Sequence, residues 1–355
     1  MSHAPIKVGV IGAGIGRTHL AGYQALGQEV DIVALCDSDK VRLKEVGDKF
    51  NVPQRYTDVN KLLAADVVEA VSVCLPNSLH APVSIAALEA GLHVLCEKPL
   101  AENVTSAQKI VETAAKASTK FMICFNRRYR RDVQWMKKAL KAGKLGRIYQ
   151  VKAGWVRETG IPGGWFADKA MAGGGPLIDL GVHMLDSVMW ILDYPTPLTV
   201  SGSVGANFGP RQVKTWAKPG QLKSFTVEDS ALAFIRLAGD ITLTLEASWA
   251  SHARPGMDDI FITLMGTQGT LELYIANYAA ENTLTLYTEE SEAPVVMRPM
   301  VKGTPSDHDY AVAEFIKCIK EDTEPTAPAT QGLEIMKIID AIYCSADQGR
   351  EISLA

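Results

Sequence analysis

The chain has 355 residues, of which 47% are hydrophobic and 21% charged, an ordinary composition for a globular chain long enough to form two domains. The formal net charge of −4 gives no indication of nucleic-acid binding, and no run of about 18 apolar residues predicts a transmembrane helix. The six cysteines form no Cys-x-x-Cys pair, so they indicate buried thiols in a reducing compartment. Residues 1–7 show no apolar signal segment, and we therefore expect a cytoplasmic protein.

The first element is an apolar run at residues 6–11, followed by a glycine turn and a helical pattern that begins near Arg17. Strand, glycine turn and helix in this order are the context of a dinucleotide-binding site. The glycines let the backbone approach a pyrophosphate, and the helix N-terminus supplies N–H donors. Arg17 stands where the common pattern has its third glycine. The turn residues predicted to bind a cofactor are Gly12, Gly14, Ile15 and Gly16.

A second apolar run, residues 30–36, ends at Asp37. This distance from the glycines is typical of an acid that binds the adenosine ribose hydroxyls. Ser38 follows at a position where an enzyme using NADP often carries Arg or Lys, so both residues favour NAD as the cofactor. Asp37 could instead cap the helix that is predicted to start near Lys40.

Strands and helices continue to alternate up to residue 125. We predict strands at 70–75, 93–96 and 121–125, with helices at 82–90 and 105–116. Because the carboxyl ends of parallel strands share one edge of a sheet, residues just after these strands can converge on one crevice. The residues predicted to bind the cofactor at this edge are Cys74, Pro76, Asn77, His80, Glu97, Lys98 and Asn126.

Glu97 and Lys98 are the most specific part of this pattern. Pro99 cannot extend a central strand, so the strand must stop there and place both charged residues at the edge of the sheet. A surface ion pair at a strand end is the alternative interpretation.

After a predicted helix at 131–142 and a strand at 148–156, a loop at 159–166 contains Trp165. Next comes a glycine run at 173–175, which we expect to be flexible, and a helix that begins near Pro176. Asp179, His183, Asp186 and Trp190 would share one face of this helix. A lone Asp–His pair on a helix is more often a structural hydrogen bond than a site.

In residues 198–300, apolar and polar side chains alternate as they do in strands, and hairpin turns are predicted at 239–240 and 266–269. Helices are expected at 307–320 and 331–346. One broad antiparallel sheet of this size has a second face that needs cover, and a second subunit is the usual cover. We therefore expect a homodimer or a homotetramer.

The glycine turn, Asp37, Pro76-Asn77-x-x-His80, Glu97-Lys98-Pro99 and the 125–128 segment together resemble the glucose–fructose oxidoreductase/inositol dehydrogenase family. The resemblance implies an α/β protein, with a parallel-sheet Rossmann domain at 1–125. It also implies a substrate-binding and oligomerisation domain at 126–355, with a large, open, mainly antiparallel sheet. In that family the aspartate matching Asp179 contacts substrate hydroxyls, and the histidine matching His183 is an acid/base group.

The segment 157–183 is most similar to family members that oxidise glucosides at C3. The resemblance therefore implies NAD-dependent oxidation of a sugar, a reaction that could be the first step of a deglycosylation. Lys98 could take the proton directly or position the hydroxyl for His183. A catalytic metal is not expected, because no suitable Cys/His cluster is apparent in the sequence. The residues predicted to bind the sugar are Lys98, Arg157, Trp165, Asp179 and His183.

Three other functions fit parts of this pattern. An inositol dehydrogenase is the alternative within the same chemistry, and a catalytically silent, nucleotide-bound sensor is the alternative outside enzymes. Lys98 and His183 count against the sensor. A biosynthetic reductase, of the biliverdin or anhydrofructose kind, is the third, and Asp37 counts against it because it favours NAD.

Overall fold

The computed structural model describes residues 4–218, 220, 222, 224–301 and 307–354. Residues 1–3, the start of the segment predicted to lack a signal, lie outside this range. The described residues form two compact units, the first from 4–126 and 307–336 and the second from 127–301 and 337–354. None of the helices in the described ranges is long and apolar enough to cross a membrane.

The first unit is built on a six-stranded parallel sheet with the order β3-β2-β1-β4-β5-β6. Its strands are β1 (Ile6–Ile11), β2 (Val30–Cys36), β3 (Gln54–Tyr56), β4 (Ala70–Val73), β5 (His93–Glu97) and β6 (Phe121–Cys124). Its helices are α1 (Gly16–Ala25), α2 (Lys40–Lys49), α3 (Val59–Leu63), α4 (His80–Glu89), α5 (Val104–Ala114) and α9 (Asp307–Glu321). The predicted Rossmann-type parallel sheet is confirmed.

The register of this sheet determines which residues meet at its carboxyl edge. Ile11 pairs with both Cys36 and Val73, Val73 pairs with Cys96, and Glu97 pairs with Cys124. The carboxyl-terminal halves of β1, β2, β4, β5 and β6 are buried, because helices cover both faces of a parallel sheet. The chain therefore leaves the strands at nearly the same level, next to one another.

The second unit is built on a nine-stranded sheet with the order β14-β13-β12-β11-β7-β10-β9-β8-β15. Among the described strands of this sheet, only β7 and β10 pair in parallel, so the prediction of an open, mainly antiparallel sheet is confirmed. Its strands are β7 (Ile148–Arg157), β8 (Pro197–Gly205), β9 (Ser230–Leu237), β10 (Ile241–Ser248), β11 (Asp258–Gly266), β12 (Gly269–Ala276), β13 (Leu284–Glu290), β14 (Ala293–Met297) and β15 (Ile352–Ser353).

Helices α6 (Arg131–Lys141) and α8 (Val182–Ile191) pack on this sheet, against β12 and β7 respectively. The remaining helices are α7 (Lys169–Ala172) and α10 (Ala329–Gln348). Both predicted hairpin turns occur, between β9 and β10 and between β11 and β12. Helix α10 begins in the first unit and ends in the second.

The sequence-based division at 125/126 placed all residues after 125 in the second domain. In the structure, the segment after residue 306 returns to the first unit. Helix α9 packs against α1, and the backbone N–H of Ile123 donates to the carbonyl of Ala327. Residues 307–336 therefore belong to the first compact unit. An amphipathic helix pattern indicates that a face is buried, but it does not indicate which partner buries it.

Candidate active site

The glycine turn of the first unit has the geometry that a pyrophosphate requires. Gly12 has a φ of +98°, and a side chain there would overlap the Cys74 carbonyl. A Cβ at Gly16 would lie 2.7 Å from Val10 Cγ1, so Gly16 permits the close helix–strand packing usually assigned to the third glycine. Ile15 is the N-cap of α1 and makes no side-chain capping bond. The exposed turn at Gly14 thus presents helix N–H groups to an anion.

Asp37 follows β2 at the edge of the sheet and is almost fully buried. Its carboxylate accepts hydrogen bonds from the Ala13 and Asp39 N–H groups, both at 2.8 Å. The Arg42 guanidinium also donates to both oxygens, at 2.8 and 2.9 Å. Burial opposes ionisation, but these hydrogen bonds outweigh it and lower the pKa of Asp37. Asp39, rather than Asp37, caps α2, which removes the capping alternative. The neighbouring Ser38 is exposed.

His80 joins two of the loops that follow the strands. Its Nδ1 lies 2.7 Å from the Pro99 carbonyl oxygen, and its Nε2 lies 2.9 Å from that of Leu75. Burial lowers the pKa of His80, although the two carbonyls oppose this shift. His80 is predicted from the sequence to bind the cofactor; in the structure its two contacts also tie the Lys98–Pro99 turn to the turn that carries Pro76 and Asn77. The Lys98–Pro99 peptide bond is cis.

The Glu97 carboxylate points into the protein rather than forming a surface ion pair. Its Oε1 accepts from His19 Nε2 at 2.8 Å and lies 3.4 Å from His308 Nε2. Its Oε2 accepts from the backbone N–H of Lys98 at 3.2 Å. Burial disfavours the charged form, yet hydrogen bonds from the two histidines hold the pKa of Glu97 well below its usual value. Neither histidine lies in a recognisable sequence motif, so neither was predicted to be a site residue.

Asn126 lies directly beside this carboxylate arrangement. Its side-chain Nδ2 is 3.4 Å from His308 Nδ1, and its buried Oδ1 accepts no hydrogen bond within the described residues. A buried amide oxygen normally accepts a hydrogen bond, so a donor from a bound ligand is expected here. The carboxamide N–H of a nicotinamide is a donor of this kind. The glycine turn, Asp37 and Asn126 together fit a dinucleotide.

In the second unit, the glycine run is tightly packed, and the expectation of a flexible run is wrong. A side chain at Gly174 would overlap the Tyr343 hydroxyl, and one at Gly175 would overlap the Glu228 carbonyl. Glu228 Oε1 accepts from the Leu177 N–H at 3.1 Å and from the Tyr343 hydroxyl at 2.9 Å. Glycine is required here for the close approach of neighbouring groups, and these contacts fix the start of the following helix.

That helix is not regular throughout. Residues Leu177–Gly181 form a π-helical turn, and α8 begins only at Val182. Single π turns inside helices are frequent at functional sites. Asp179 lies in the π turn and accepts from Trp249 Nε1 at 3.0 Å, while the His183 ring packs 5.7 Å from that of Trp155.

Two other members of the predicted helical face have structural roles. Asp186 forms a buried ion pair with Arg128 at 2.6 Å, and the Trp190 ring receives the Lys137 ammonium at 4.2 Å. Trp249 is fully buried and was not predicted to support Asp179. Trp249 directly follows β10, and nothing in the sequence there indicates its hydrogen bond to Asp179.

Arg157 and Trp165 lie in different environments of the second unit. Arg157 is buried, donates to Asp258 at 3.0 Å and to the Tyr278 hydroxyl at 2.8 Å, and stacks over Trp155. Trp165 lies in a short 3-10 turn, half-buried, with its ring 3.9 Å from that of Phe166. The first is held by protein groups, while the second presents part of an aromatic face.

Comparisons with known proteins agree with this architecture. Residues 6–125 match the model of an oxidoreductase family with an NAD-binding Rossmann fold, and residues 133–272 match the GFO/IDH/MocA C-terminal domain. The chain is 30% identical over 361 residues to the D-glucoside 3-dehydrogenase of Escherichia coli (strain K12), covering 100% of this chain and 99% of that one.

Two solved structures are also similar. An oxidoreductase domain protein from Kribbella flavida has a TM-score of 0.89 at 26% identity, covering 99% of this chain and 100% of that one. A levoglucosan dehydrogenase in complex with NADH and L-sorbose has a TM-score of 0.87 at 21% identity, with the same coverage, and shows the fold. The chain belongs to the Gfo/Idh/MocA family of NAD-binding oxidoreductases, several of whose related members are named sugar dehydrogenases.

Proposed function

We propose that this protein uses NAD to oxidise a secondary hydroxyl of a sugar, at C3 of a D-glucoside or of glucose. The observation that carries the choice of sugar and carbon is the similarity to the D-glucoside 3-dehydrogenase, which runs the full length of both chains. It therefore includes the segments that contain Lys98, Asp179 and His183. Family membership alone supports a sugar dehydrogenase and leaves the sugar open.

Oxidation of a carbinol removes a hydride and a proton, and bound NAD would supply the hydride acceptor. The residues proposed to hold NAD are Gly12, Gly14, Ile15, Gly16, Asp37, Ser38, Cys74, Pro76, Asn77, His80, Glu97, Lys98, Asn126 and Trp165. Asp37 would accept hydrogen bonds from the ribose hydroxyls, and the turn at Gly14 would take the pyrophosphate.

The chain's own residues would handle the proton and hold the sugar. Lys98, half-buried at the end of β5, would take the hydroxyl proton or orient that hydroxyl for His183. Asp179, whose carboxylate accepts a hydrogen bond from the Trp249 indole, would also accept hydrogen bonds from neighbouring sugar hydroxyls. Trp165 would cover the apolar face of the pyranose. Arg157 would act at the rim of the sugar site, where Asp258 and Tyr278 hold it.

A 3-keto product has acidic C–H bonds at the carbons next to the carbonyl. A second enzyme could therefore eliminate the aglycone from C1, and this protein would then perform the first step of a deglycosylation. NADH formed in that step could reduce a released 3-keto sugar.

The test is product analysis by NMR after incubation with methyl β-D-glucoside and NAD. We expect a 3-keto glucoside, no reaction with the 3-deoxy analogue and retained activity with the 6-deoxy analogue, because sites built to bind a hydroxyl reject substrates that lack it. A lactone formed by C1 oxidation, or efficient conversion of inositol to an inosose, would reject the proposal.

A further inference from the structure

Glu97 is the centre of a buried polar cluster in the first unit, formed by Glu97, His19, Cys124 and His308 and called the Glu97 cluster below. One potential ligand atom from each of these side chains lies within 4.8 Å of the other three. They come from four different elements, namely α1, β5, β6 and α9. The cluster therefore depends on the segment 307–336, which returns to the first unit late in the chain.

The hydrogen bonds of the cluster define one consistent set of proton positions. The Asn126 amide N–H donates to His308 Nδ1, which leaves the proton of the neutral ring on Nε2, facing Glu97. His19 donates from Nε2 to Glu97, so its Nδ1 accepts from the Ser72 hydroxyl at 3.0 Å. The Ser72 oxygen in turn accepts from the Tyr23 hydroxyl at 2.8 Å. When both imidazole rings are neutral, each of these donors and acceptors therefore has a hydrogen-bond partner.

A metal ion is the competing interpretation, because two histidines, a cysteine and a carboxylate suit zinc. The geometry favours the hydrogen-bonded form. The His19–Glu97 separation of 2.8 Å is a normal N–H···O distance with a proton between the two atoms. Burial also raises the pKa of Cys124 well above its usual value, which disfavours the thiolate that zinc requires.

The second oxygen of Glu97 connects the cluster to Lys98. Glu97 Oε2 accepts a hydrogen bond from the Lys98 backbone N–H at 3.2 Å, so the carboxylate contacts the backbone at the point where the chain leaves β5. His19 is fully buried and held by Ser72, whereas His308 is partly exposed, at 18% of its side chain, and is held through Asn126. His308 lies on helix α9, outside the sheet, and approaches the Glu97 carboxylate from that helix.

We propose that His308 is a positioning residue for Lys98 and acts through Glu97. The inference rests on the proposed function, in which Lys98 works on the reacting hydroxyl. His308 need not touch the substrate in this role. It fixes the Glu97 carboxylate, and Glu97 fixes the backbone from which the Lys98 side chain extends.

The experiment compares three substitutions of His308 in the full-length protein. His308→Leu removes the donor to Glu97. His308→Gln restores an N–H near the position of Nε2, whereas His308→Asn retains a polar group facing Asn126 but is too short to reach Glu97. His252→Gln, at an exposed histidine of the second unit, is the matched control.

The first measurement is hydrogen exchange at the Lys98 backbone amide, in the protein without cofactor or substrate. We expect exchange to be several-fold faster in His308→Leu and His308→Asn, and close to the unmodified rate in His308→Gln and His252→Gln. The second measurement is turnover of methyl β-D-glucoside. A lost hydrogen bond to a charged group leads us to expect a kcat lower by about 10-fold in the Leu and Asn variants. NAD affinity should change less than about 2-fold, and a Lys98→Ala background should abolish the effect of His308→Leu.

Unchanged exchange at Lys98 in His308→Leu would overturn the inference, as would an unchanged kcat. Stoichiometric zinc in the purified protein, with activity lost on its removal, would replace it with a metal site. If the unmodified protein oxidises no glucoside, the proposed function fails, while the exchange measurement still decides whether His308 holds the Lys98 backbone.

Discussion

The contact with Arg42 changes what the Asp37 carboxylate can bind. The sequence presents a carboxylate followed by Ser38, which favours NAD. In the structure Arg42 binds both carboxylate oxygens, so the ribose hydroxyls and the guanidinium would compete for the same acceptors. Arg42 is partly exposed, at 41% of its side chain, and can turn away. Without Asp37 its positive charge would be available to a 2′-phosphate.

This arrangement gives a prediction on cofactor choice. The unmodified protein should bind NAD in preference to NADP. Asp37→Ala should weaken NAD binding by on the order of 10-fold, since hydrogen bonds to a charged acceptor are lost. The same change should strengthen NADP binding, because Arg42 is released. Titration of both cofactors by fluorescence measures this. Equal or tighter NADP binding by the unmodified protein would contradict the assignment of Asp37.

A second prediction at this scale separates catalysis from folding. Lys98→Ala and His183→Ala should each lower turnover by roughly 10²–10⁴-fold, the usual effect of losing a general acid or base. NAD affinity and thermal stability should stay close to those of the unmodified protein. Because His183 packs against Trp155, His183→Asn is a control that loses less packing. The exposed Lys44 gives the control Lys44→Ala. Near-normal turnover in either alanine variant would remove that residue from the proposed mechanism.

At the scale of elements, the π turn at Leu177–Gly181 and the glycine run before it are held by the same neighbouring groups. Glu228 holds this unit by accepting from the Leu177 N–H, and Tyr343 of α10 holds Glu228. Burial raises the pKa of Glu228, although hydrogen bonds oppose the shift. Asp179 is thus positioned by a carboxylate that never needs to meet the substrate.

The raised pKa of Glu228 predicts a dependence of stability on pH. The fold favours the protonated carboxyl, so this contribution to stability is fully present below the ordinary carboxyl pKa of about 4.3. It is lost as pH rises through the raised value. Glu228→Gln keeps an acceptor for both donors and buries no charge. It should stabilise the protein by about 1 kcal/mol at pH 8, with a smaller gain at acidic pH.

Thermal unfolding of both proteins at pH 5 and pH 8 measures this difference. Glu45→Gln, at an exposed position on α2, is the control for the substitution itself. A lower melting temperature for Glu228→Gln at pH 8 would show that the charged form is required in the fold.

At the scale of the whole molecule, the nine-stranded sheet has two unlike faces. Leu243, Leu245 and Ile235 on one face are buried, because helices pack on them. On the opposite face Leu232 is 56% exposed, and Tyr274 and Tyr287 are each 43% exposed. Large apolar and aromatic side chains exposed on one face of a sheet are typical of an interface between subunits.

We therefore predict a homodimer or homotetramer formed through this open face. Leu232→Glu should weaken the assembly by at least about 10-fold, because a second carboxylate would be placed beside Glu246, its neighbour on β10. Val41→Glu, at an exposed apolar residue of α2, should leave the assembly unchanged. Light scattering over a concentration series gives the molecular mass. A monomer at micromolar concentration in the unmodified protein would contradict the prediction.

The sequence by itself determined the fold class, the parallel and antiparallel sheets, and the family. Those features depend on local patterns such as the Gly12–Gly16 turn, the Glu97-Lys98-Pro99 stop and alternation in strands. Only the tertiary structure decided which side chains meet. Arg42 on Asp37, Trp249 on Asp179, and His19 and His308 on Glu97 are contacts between separate elements. Periodicity indicates that a face is buried, but the partner that buries it depends on how the elements pack together.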